Sequence, residues 1–230
     1  MTDLHTHILP KMDDGAQSVK EALAMLQAQA EQGVDAVALT PHYYGREENV
    51  KSFLARRDAA FKQLVRAAEG KEIPEMILGA EVAWMPDMAE WPDLEKLCYQ
   101  NSGVILIELP MTPWTDATFQ QLYKMENRRG ITPIIAHFDR YFQCQKERNI
   151  HRLLETGYPI QISAGSLRRI FGRHKSLAML KYCDGILISD CHNMDDRPPN
   201  IGTAMNIVAR KLGSVLAGRL ADLTDEILMD

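Results

Sequence analysis

The sequence predicts an α/β protein built on parallel strands, and two observations support that prediction. Short β-branched runs alternate with helical segments, and runs such as 104–107 and 186–188 are apolar at successive positions. Such runs suit strands that are buried on both faces, as in a parallel sheet wrapped by helices. With 230 residues and 46% hydrophobic side chains, the chain has the size of one barrel domain, so we expect a single domain over residues 1–230.

Helix signals separate the strands. Ser18 and Glu21 form a capping-box pattern, apolar residues then recur at helical spacing, and Gly33 offers a stop, which predicts a helix over residues 18–32. The charged stretch 46–71 is interpreted as a solvated helix with Phe53, Phe61 and Leu64 facing inward. Seven strands are predicted, over residues 2–7, 35–40, 76–82, 103–109, 132–137, 159–164 and 185–190.

Composition and charge exclude several classes of function. The net charge of -5, with acidic and basic residues interspersed, gives no basic stripe for nucleic acid. The sequence has no signal-peptide pattern and no apolar run near the roughly 20 residues of a membrane span, so we expect a cytoplasmic protein without membrane insertion. The four cysteines include no Cys-x-x-Cys pair, which argues against a thiolate zinc site or a disulfide framework.

Histidines and carboxylates collect at the predicted strand ends. Five of the seven histidines lie there, and His5 and His7 are two apart on an alternating stretch, so both imidazoles can face one ion. In an α/β barrel these ends meet at one mouth, which predicts a shared centre for two or three divalent ions. Ligands of this type accept Mn, Fe, Zn or Mg. The predicted ligands are His5, His7, Asp14, His42, Glu81, Glu108, His137, Asp190 and His192.

Some of these residues also have structural explanations. Asp14 lies in a loop beside Asp13, and with two adjacent aspartates we expect one to ligate and the other to cap or be solvated. Glu81 and Glu108 could cap helices or pair with arginines. Glu108, however, ends a four-residue apolar run, where an unpaired carboxylate is costly and a metal removes the cost.

Seven stretches at these positions resemble the PHP (polymerase and histidinol phosphatase) superfamily, and more narrowly its bacterial capsule-type, manganese-dependent protein tyrosine phosphatases. The resemblance runs in order from residue 1 to about residue 215, which is more specific than any single short motif. The stretches are His5-Thr6-His7-Ile8-Leu9-Pro10 with Met12-Asp13-Asp14-Gly15, Thr40-Pro41-His42, Gly79-Ala80-Glu81, Ile107-Glu108, Ile135 to Tyr141, Ile162 to Leu167, and Ser189 to Asn193.

This resemblance implies a distorted seven-stranded (βα)7 barrel with three metal ions, manganese preferred, at the carboxyl ends of the strands. His5, His7, Glu81 and Asp190 would hold one ion; Glu81 would bridge to a second, held by Glu108 and His137; Asp14, His42 and His192 would hold the third. Arg140 and Arg197 would clamp the phosphate while a metal-bound hydroxide attacks it. The implied substrate is the phosphotyrosine-containing tail of a bacterial tyrosine kinase in capsular or exopolysaccharide biosynthesis. Asp139 stands where the family usually has Glu, which could alter how Arg140 is held.

Four alternatives remain open at this stage. Cys191 and Arg197 satisfy the Cys-x5-Arg spacing of cysteine-dependent phosphatases, although Asp195 and Asp196 in that loop would repel phosphate. Amidohydrolases share the His-x-His start but normally have a bridging lysine, and no lysine ends a predicted strand. A histidinol-phosphatase-like or other small-molecule phosphoesterase shares the metal centre. The fourth alternative is a non-catalytic, metal-stabilised interaction module.

Overall fold

The structure is a computed structural model that describes residues 1–169, 172–183 and 185–228. Strands and helices alternate along these residues, which confirms the predicted mixed α/β class. The strands are β1 (Thr2–Thr6), β2 (Ala36–Leu39), β3 (His42–Tyr43), β4 (Glu75–Leu78), β5 (Glu81–Ala83), β6 (Val104–Glu108), β7 (Thr132–Ile135), β8 (Gln161–Ser163) and β9 (Ile186–Ile188). The helices are α1 (Val19–Ala30), α2 (Val50–Ala68), α3 (Asp116–Arg129), α4 (Phe138–Tyr141), α5 (Glu147–Leu154), α6 (Ala164–Arg168), α7 (Arg173–Tyr182), α8 (Ile201–Leu212) and α9 (Ser214–Glu226).

All described strand pairs are parallel, but they divide into three sheets. The strand orders are β1-β2-β4, β3-β5-β6-β7 and β8-β9. Single bridges between Thr6 and Cys191 and between Ile135 and Ile160 connect the sheets at two of their borders. The strand pairing therefore confirms parallel sheets and does not by itself confirm one closed seven-stranded barrel.

One border between the first two sheets falls inside the predicted strand 76–82, and the other falls just beyond the predicted strand 35–40. The predicted strand 76–82 resolves into β4 and β5, which are separated by Gly79 and Ala80. The two-residue strand β3 follows β2 after Pro41, which has no amide hydrogen to continue the ladder. Both breaks precede a predicted ligand directly, His42 in β3 and Glu81 in β5.

The first helix forms where the capping pattern predicts it. Ser18 is the N-cap of α1, and its hydroxyl accepts a hydrogen bond from the Glu21 amide at 3.1 Å. Gly33 adopts a positive φ of 78° just beyond the helix, a conformation that glycine reaches without steric cost. The charged segment 46–71 contains α2, with Phe53 and Leu64 fully buried as predicted and Phe61 only partly buried against the core.

Two apolar clusters support the strand ends. The larger one packs strand residues such as Val37 and Leu39 against helix residues such as Met25 and Leu26. The smaller one combines residues of β1, β2, β6, β7 and β9 with Tyr99, whose hydroxyl donates to the Leu4 carbonyl at 2.7 Å. Dense packing on both sides of the strands holds the residues at their carboxyl ends in fixed positions. Among the described residues, no helix combines the length and apolar character needed to cross a membrane.

Candidate metal centre

The structure brings all nine predicted ligands together. They form four overlapping groups in which one candidate donor atom per residue lies within 4.8 Å of the others. The groups are His7, Asp14, His42 and His192; His5, His7 and Glu81; His5, His137 and Asp190; and His42, Glu81 and Glu108. Because members are shared between groups, the nine side chains make one continuous cluster.

A bulge in β1 orients the side chains of the first two histidines. The register between β1 and β2 shifts between Asp3 and Thr6, and such bulges commonly redirect side chains beside functional sites. The Nε2 atoms of His5 and His7 lie 3.2 Å apart. Two nitrogens bound to one ion at about 2.1 Å would be separated by roughly 3.0 to 3.4 Å. The pair therefore has the spacing expected of two ligands on one ion.

Two other predicted ligands have unusual backbone conformations. His137 follows β7 with a φ of 49°, and Asp190 lies two residues after β9 with a φ of 54°. Left-handed conformations are uncommon for residues with a Cβ and collect at functional sites, where the surrounding structure enforces them. Both residues turn their side chains into the cluster, and His137 Nδ1 lies 3.6 Å from Asp190 Oδ2.

Asp13 and Asp14 belong to a loop that folds back against β1. The Ala16 amide donates to the His7 carbonyl at 3.0 Å, and a Cβ on Gly15 would lie only 2.1 Å from that carbonyl oxygen. Only glycine allows this approach. The loop places Asp14 Oδ1 3.6 Å from His42 Nε2 and 3.5 Å from His192 Nε2.

Glu81 is at the middle of the cluster and is completely buried. Its Oε1 lies 2.9 Å from His137 Nε2 and its Oε2 lies 2.9 Å from His42 Nδ1. Among the described residues, however, neither carboxylate oxygen has a partner in hydrogen-bonding geometry. Asp190 Oδ1 and His192 Nε2 are buried without a partner in the same way. Buried charged and polar atoms without partners are costly. Divalent cations would satisfy these atoms, so the residues present fit a metal centre.

The outward-facing nitrogens of several histidines contact other side chains or the backbone. His5 Nδ1 lies 2.8 Å from Gln161 Oε1, and His7 Nδ1 lies 2.7 Å from Asp13 Oδ2. His192 Nδ1 lies 3.1 Å from the Asp190 carbonyl. These contacts leave Nε2 of each ring facing the cluster, the arrangement that fixes tautomer and orientation in histidine metal sites.

Carboxylates dominate the electrostatics of the centre. Burial disfavours the charged imidazole of His7, but Asp13 and Glu81 outweigh burial and raise its pKa to about 10. Burial opposes ionisation of Asp13, but its contact with His7 and two backbone N–H donors lower its pKa to about 2. Burial, and then the charge of Glu81, raise the pKa of Glu108. The carboxylates thus favour positive charge at His7, whereas burial and then the charge of His7 lower the pKa of His192 to about 4.

Exposure divides the centre into a deep part and a mouth. His5, His7, Glu81, His137, Asp190 and His192 have side chains at most 5% exposed. Asp14, Glu108 and His42 are 67%, 29% and 15% exposed. Tyr44 stacks on His42 at the mouth, with ring centroids 5.3 Å apart. A ligand can therefore reach the cluster beside an aromatic ring.

The two predicted phosphate-binding arginines meet at Asp190. Arg140 Nη2 donates to Asp190 Oδ2 at 2.6 Å, and Arg197 donates to the same oxygen. Both arginine side chains remain 39% exposed, and each guanidinium has five N–H donors, so both keep donors for a further anion. Their role in phosphate binding stays a prediction.

The predicted division of ligands among three ions also stays a prediction. Glu81 belongs to two of the observed groups, as expected of a bridging ligand. His137, however, groups with His5 and Asp190, whereas Glu108 groups with His42 and Glu81. The expected pairing of His137 with Glu108 on one ion is therefore not a group that the geometry produces.

The loop after β9 does not have the form that thiolate catalysis needs. Cys191 is fully buried, and burial raises the pKa of its thiol far above the usual range. The amides of Asp195, Asp196 and Arg197 all donate to Asn193 Oδ1, at 2.8 to 3.1 Å. These N–H groups are consequently not free to surround a phosphate beside Cys191.

Three positioning residues were not predicted as part of the site. Asp13 was predicted only to cap or be solvated, and Asn193 and Gln161 were not singled out. Gln161 had one sequence signal, since it interrupts the apolar run from Ile160 to Ile162. Its contact with His5 spans 156 positions and depends on tertiary packing.

Comparison with known proteins decides the family. The family model described as capsular polysaccharide synthesis, CpsB/CapC, matches residues 1–227. The chain belongs to the CpsB/CapC family. Tyrosine-protein phosphatase YwqE of Bacillus subtilis (strain 168) is 31% identical over 238 residues, covering 99% of this chain and 91% of the relative. Tyrosine-protein phosphatase CpsB of Streptococcus agalactiae serotype V is 29% identical over 234 residues, covering 96% and 94%.

Solved structures of CpsB/CapC proteins agree with this assignment. A chain from the crystal structures of YwqE from Bacillus subtilis and CpsB from Streptococcus pneumoniae, described as unique metal-dependent tyrosine phosphatases, matches with a TM-score of 0.82 and 28% identity. The match covers 100% of this chain and 94% of that one. The resemblance to capsule-type phosphatases found in the sequence is confirmed.

Proposed function

We propose that this CpsB/CapC protein is a metal-dependent protein tyrosine phosphatase that hydrolyses phosphotyrosine on an autophosphorylated bacterial tyrosine kinase of capsular or exopolysaccharide biosynthesis. The observation that carries the proposal is the fully buried, unpartnered carboxylate of Glu81 among imidazoles. Membership of a family whose relatives are named tyrosine-protein phosphatases supports the choice of substrate.

The proposed architecture is a single domain over residues 1–230 whose three sheets together make the distorted seven-stranded barrel. In this arrangement β2 with β3 and β4 with β5 count as one interrupted strand each, which gives seven. The bridges at Thr6 and Ile135 support closure, since they connect β1 to the segment after β9 and β7 to the segment before β8. We place the protein in the cytoplasm, where the cytoplasmic part of a kinase would meet it.

The proposed cofactor is a set of three divalent ions, manganese preferred, held by the nine clustered side chains. When bound, such ions activate water as a nucleophile and offset charge on the phosphoryl oxygens. His5, His7, His42, His137 and His192 supply nitrogens, and Asp14, Glu81, Glu108 and Asp190 supply oxygens. Asp13 and Gln161 hold two of these imidazoles in the binding orientation.

Arg140 and Arg197 bind the phosphate in this proposal. Their forked donors match two phosphate oxygens each and stabilise charge that spreads over the phosphoryl group in the transition state. The substrate's aromatic ring extends from the centre into the mouth, where Tyr44, the exposed Asp14 and the partly exposed Glu108 lie. An open mouth admits a side chain that protrudes from a protein.

Metal analysis combined with substrate comparison tests the proposal. Purified protein that has met neither chelator nor acid is expected to carry two or three divalent ions per chain and to prefer a phosphotyrosine peptide over histidinol phosphate. The Glu81→Gln variant should lose metal and most of its activity. Glu75→Gln, at an exposed position of β4, is the matched control and should lose neither.

Each opposing result has a distinct meaning. Faster turnover of histidinol phosphate would favour the small-molecule phosphoesterase, and a fully metal-loaded protein without activity on either substrate would favour the non-catalytic module. Less than about one ion per chain would contradict the metal centre itself.

A further inference from the structure

A groove of about 540 Å³ opens beside the metal centre, on the side of β8 and β9. Arg140 and Arg197 line it from the metal centre, and Arg168 and Arg169 line it from the end of α6. The groove therefore shares the two proposed phosphate-binding arginines with the centre and adds two more. Nothing in the proposed hydrolysis of the phosphate itself uses this second pair.

Arg168 and Arg169 are exposed, and their guanidinium groups have no carboxylate within 4 Å among residues 1–169, 172–183 and 185–228. Some other surface arginines are paired with carboxylates, such as Arg129 with Glu95 at 2.7 Å and Arg152 with Asp116 at 2.6 Å. The side chains of Arg168 and Arg169 are thus available for an external anion.

The main chain that carries this pair is held in place by a neighbouring arginine. Arg173 Nε donates to the Arg169 carbonyl at 3.1 Å, and Arg173 Nη2 donates to the Arg168 carbonyl at 3.2 Å. Two adjacent guanidinium groups on a tethered backbone lose less freedom on binding an anion than two groups on a free loop.

Three carboxylates line the groove against four arginines, so they offset most but not all of its positive charge. Asp139 accepts hydrogen bonds from the Ser163 amide and hydroxyl at 3.0 and 3.3 Å, and Asp190 belongs to the metal centre. Asp196 is exposed and is the remaining lining carboxylate among the residues described for this groove. Four arginines thus gather at one place in a chain whose net charge is -5.

We propose that this groove binds a second anionic group of the substrate, a carboxylate or phosphate on a side chain near the scissile phosphotyrosine in sequence. The inference rests on the proposed phosphatase function. A phosphotyrosine held by Arg140 and Arg197 brings a flanking side chain of its peptide within reach of Arg168 and Arg169, because one groove contains all four arginines. Guanidinium forks fit carboxylate and phosphate alike.

Peptide kinetics test the proposal in the metal-loaded enzyme. Three phosphotyrosine peptides are compared, with neutral flanking residues, with flanking glutamates, and with a second phosphotyrosine. We expect kcat/KM for both anionic peptides to exceed that for the neutral one by about five- to twentyfold, mainly through KM, as two partly exposed charge-assisted contacts would give. The preference should shrink as salt rises from about 0.1 M to 1 M. The ratio between the two anionic peptides identifies which anion the groove prefers.

Variants locate the effect. Arg168→Gln with Arg169→Gln should bring the ratio of anionic to neutral kcat/KM close to one, and Arg168→Lys with Arg169→Lys should keep most of it. Asp196→Asn should increase the ratio, because it removes a negative charge from the groove. The matched control is Lys62→Gln with Arg66→Gln on the exposed face of α2, which removes the same charge away from the groove and should leave the ratio unchanged.

Two results would overturn the inference. The first is that the wild-type enzyme has the same kcat/KM for the neutral peptide as for the anionic peptides. The second is a preference that survives in the folded double glutamine variant, as judged by circular dichroism. A metal-loaded enzyme that turns over none of the three peptides would instead contradict the proposed function, and this inference with it.

Discussion

Asp13→Asn is expected to weaken metal binding without removing a ligand. Asp13 Oδ2 contacts His7 Nδ1 at 2.7 Å and accepts from the His42 amide at 2.9 Å, while Oδ1 accepts from the Gly15 amide at 2.9 Å. An asparagine has one acceptor oxygen, so at least one of the three contacts becomes an unfavourable meeting of two donors. The contact with His7 also loses its charge assistance.

Loss of such an orienting carboxylate typically weakens metal affinity by about 10- to 100-fold, or roughly 1.4 to 2.7 kcal/mol. Competition between the protein and a chelator of known affinity, with Mn²⁺ as the metal, measures this change. High metal concentration should restore occupancy and most of kcat, since every proposed ligand is still present.

Asp14→Asn provides the comparison, because Asp14 is proposed to bind metal directly. That variant should bind one ion fewer than the wild type even at high metal concentration. Wild-type metal affinity in Asp13→Asn would refute the orienting role, and behaviour identical to that of Asp14→Asn would show that Asp13 is itself a ligand.

Three further predictions concern the loops around the centre. Cys191→Ser should keep most phosphatase activity because the buried thiol only packs, and an inactive but folded and metal-loaded variant would overturn the proposed mechanism. Gly15→Ala should lower the free energy of unfolding by about 1 to 3 kcal/mol in thermal melts, because the added Cβ would clash with the His7 backbone. The control is Gly218→Ala, whose Cβ would have no described atom within 4 Å and which should not lower the free energy of unfolding. Arg197→Lys should reduce kcat/KM by about tenfold or more because an ammonium cannot reproduce the fork, whereas the exposed Arg148→Lys should not.

Much of the centre could be predicted because strand ends converge in parallel sheets. The approximate end of each strand was enough to place the predicted ligands near one another, with the exception of Asp14, which lies in a loop. The sequence also predicted Asp14 as the ligand and a different role for Asp13, but it could not predict that Asp13 orients His7. That contact depends on how closely the loop approaches His7, which the missing Cβ of Gly15 permits.

Other features depend on packing that no local pattern records. The bulge in β1 and the left-handed backbone at His137 and Asp190 are enforced by neighbouring strands. The border between the first two sheets arises because the chain changes strand partners at Pro41 and at Gly79. Arg168 and Arg169 look like ordinary surface arginines in the sequence, and only the fold places them beside Arg197.

Asp190 links the two parts of the proposed substrate site. Its Oδ1 lies 3.6 Å from His7 Nε2 and has no hydrogen-bond partner, so it faces the proposed ions, whereas Oδ2 holds both Arg140 and Arg197. Asn193 fixes the same loop by accepting three backbone hydrogen bonds, the last of them from Arg197. In this proposal the end of β9 sets the positions of one ion, of the phosphate and of the arginines that the groove shares with the centre. Since one strand end orders all three, a change at Asp190 should disturb metal binding and phosphate binding at once, whereas a change at Arg168 should affect only the flanking anion.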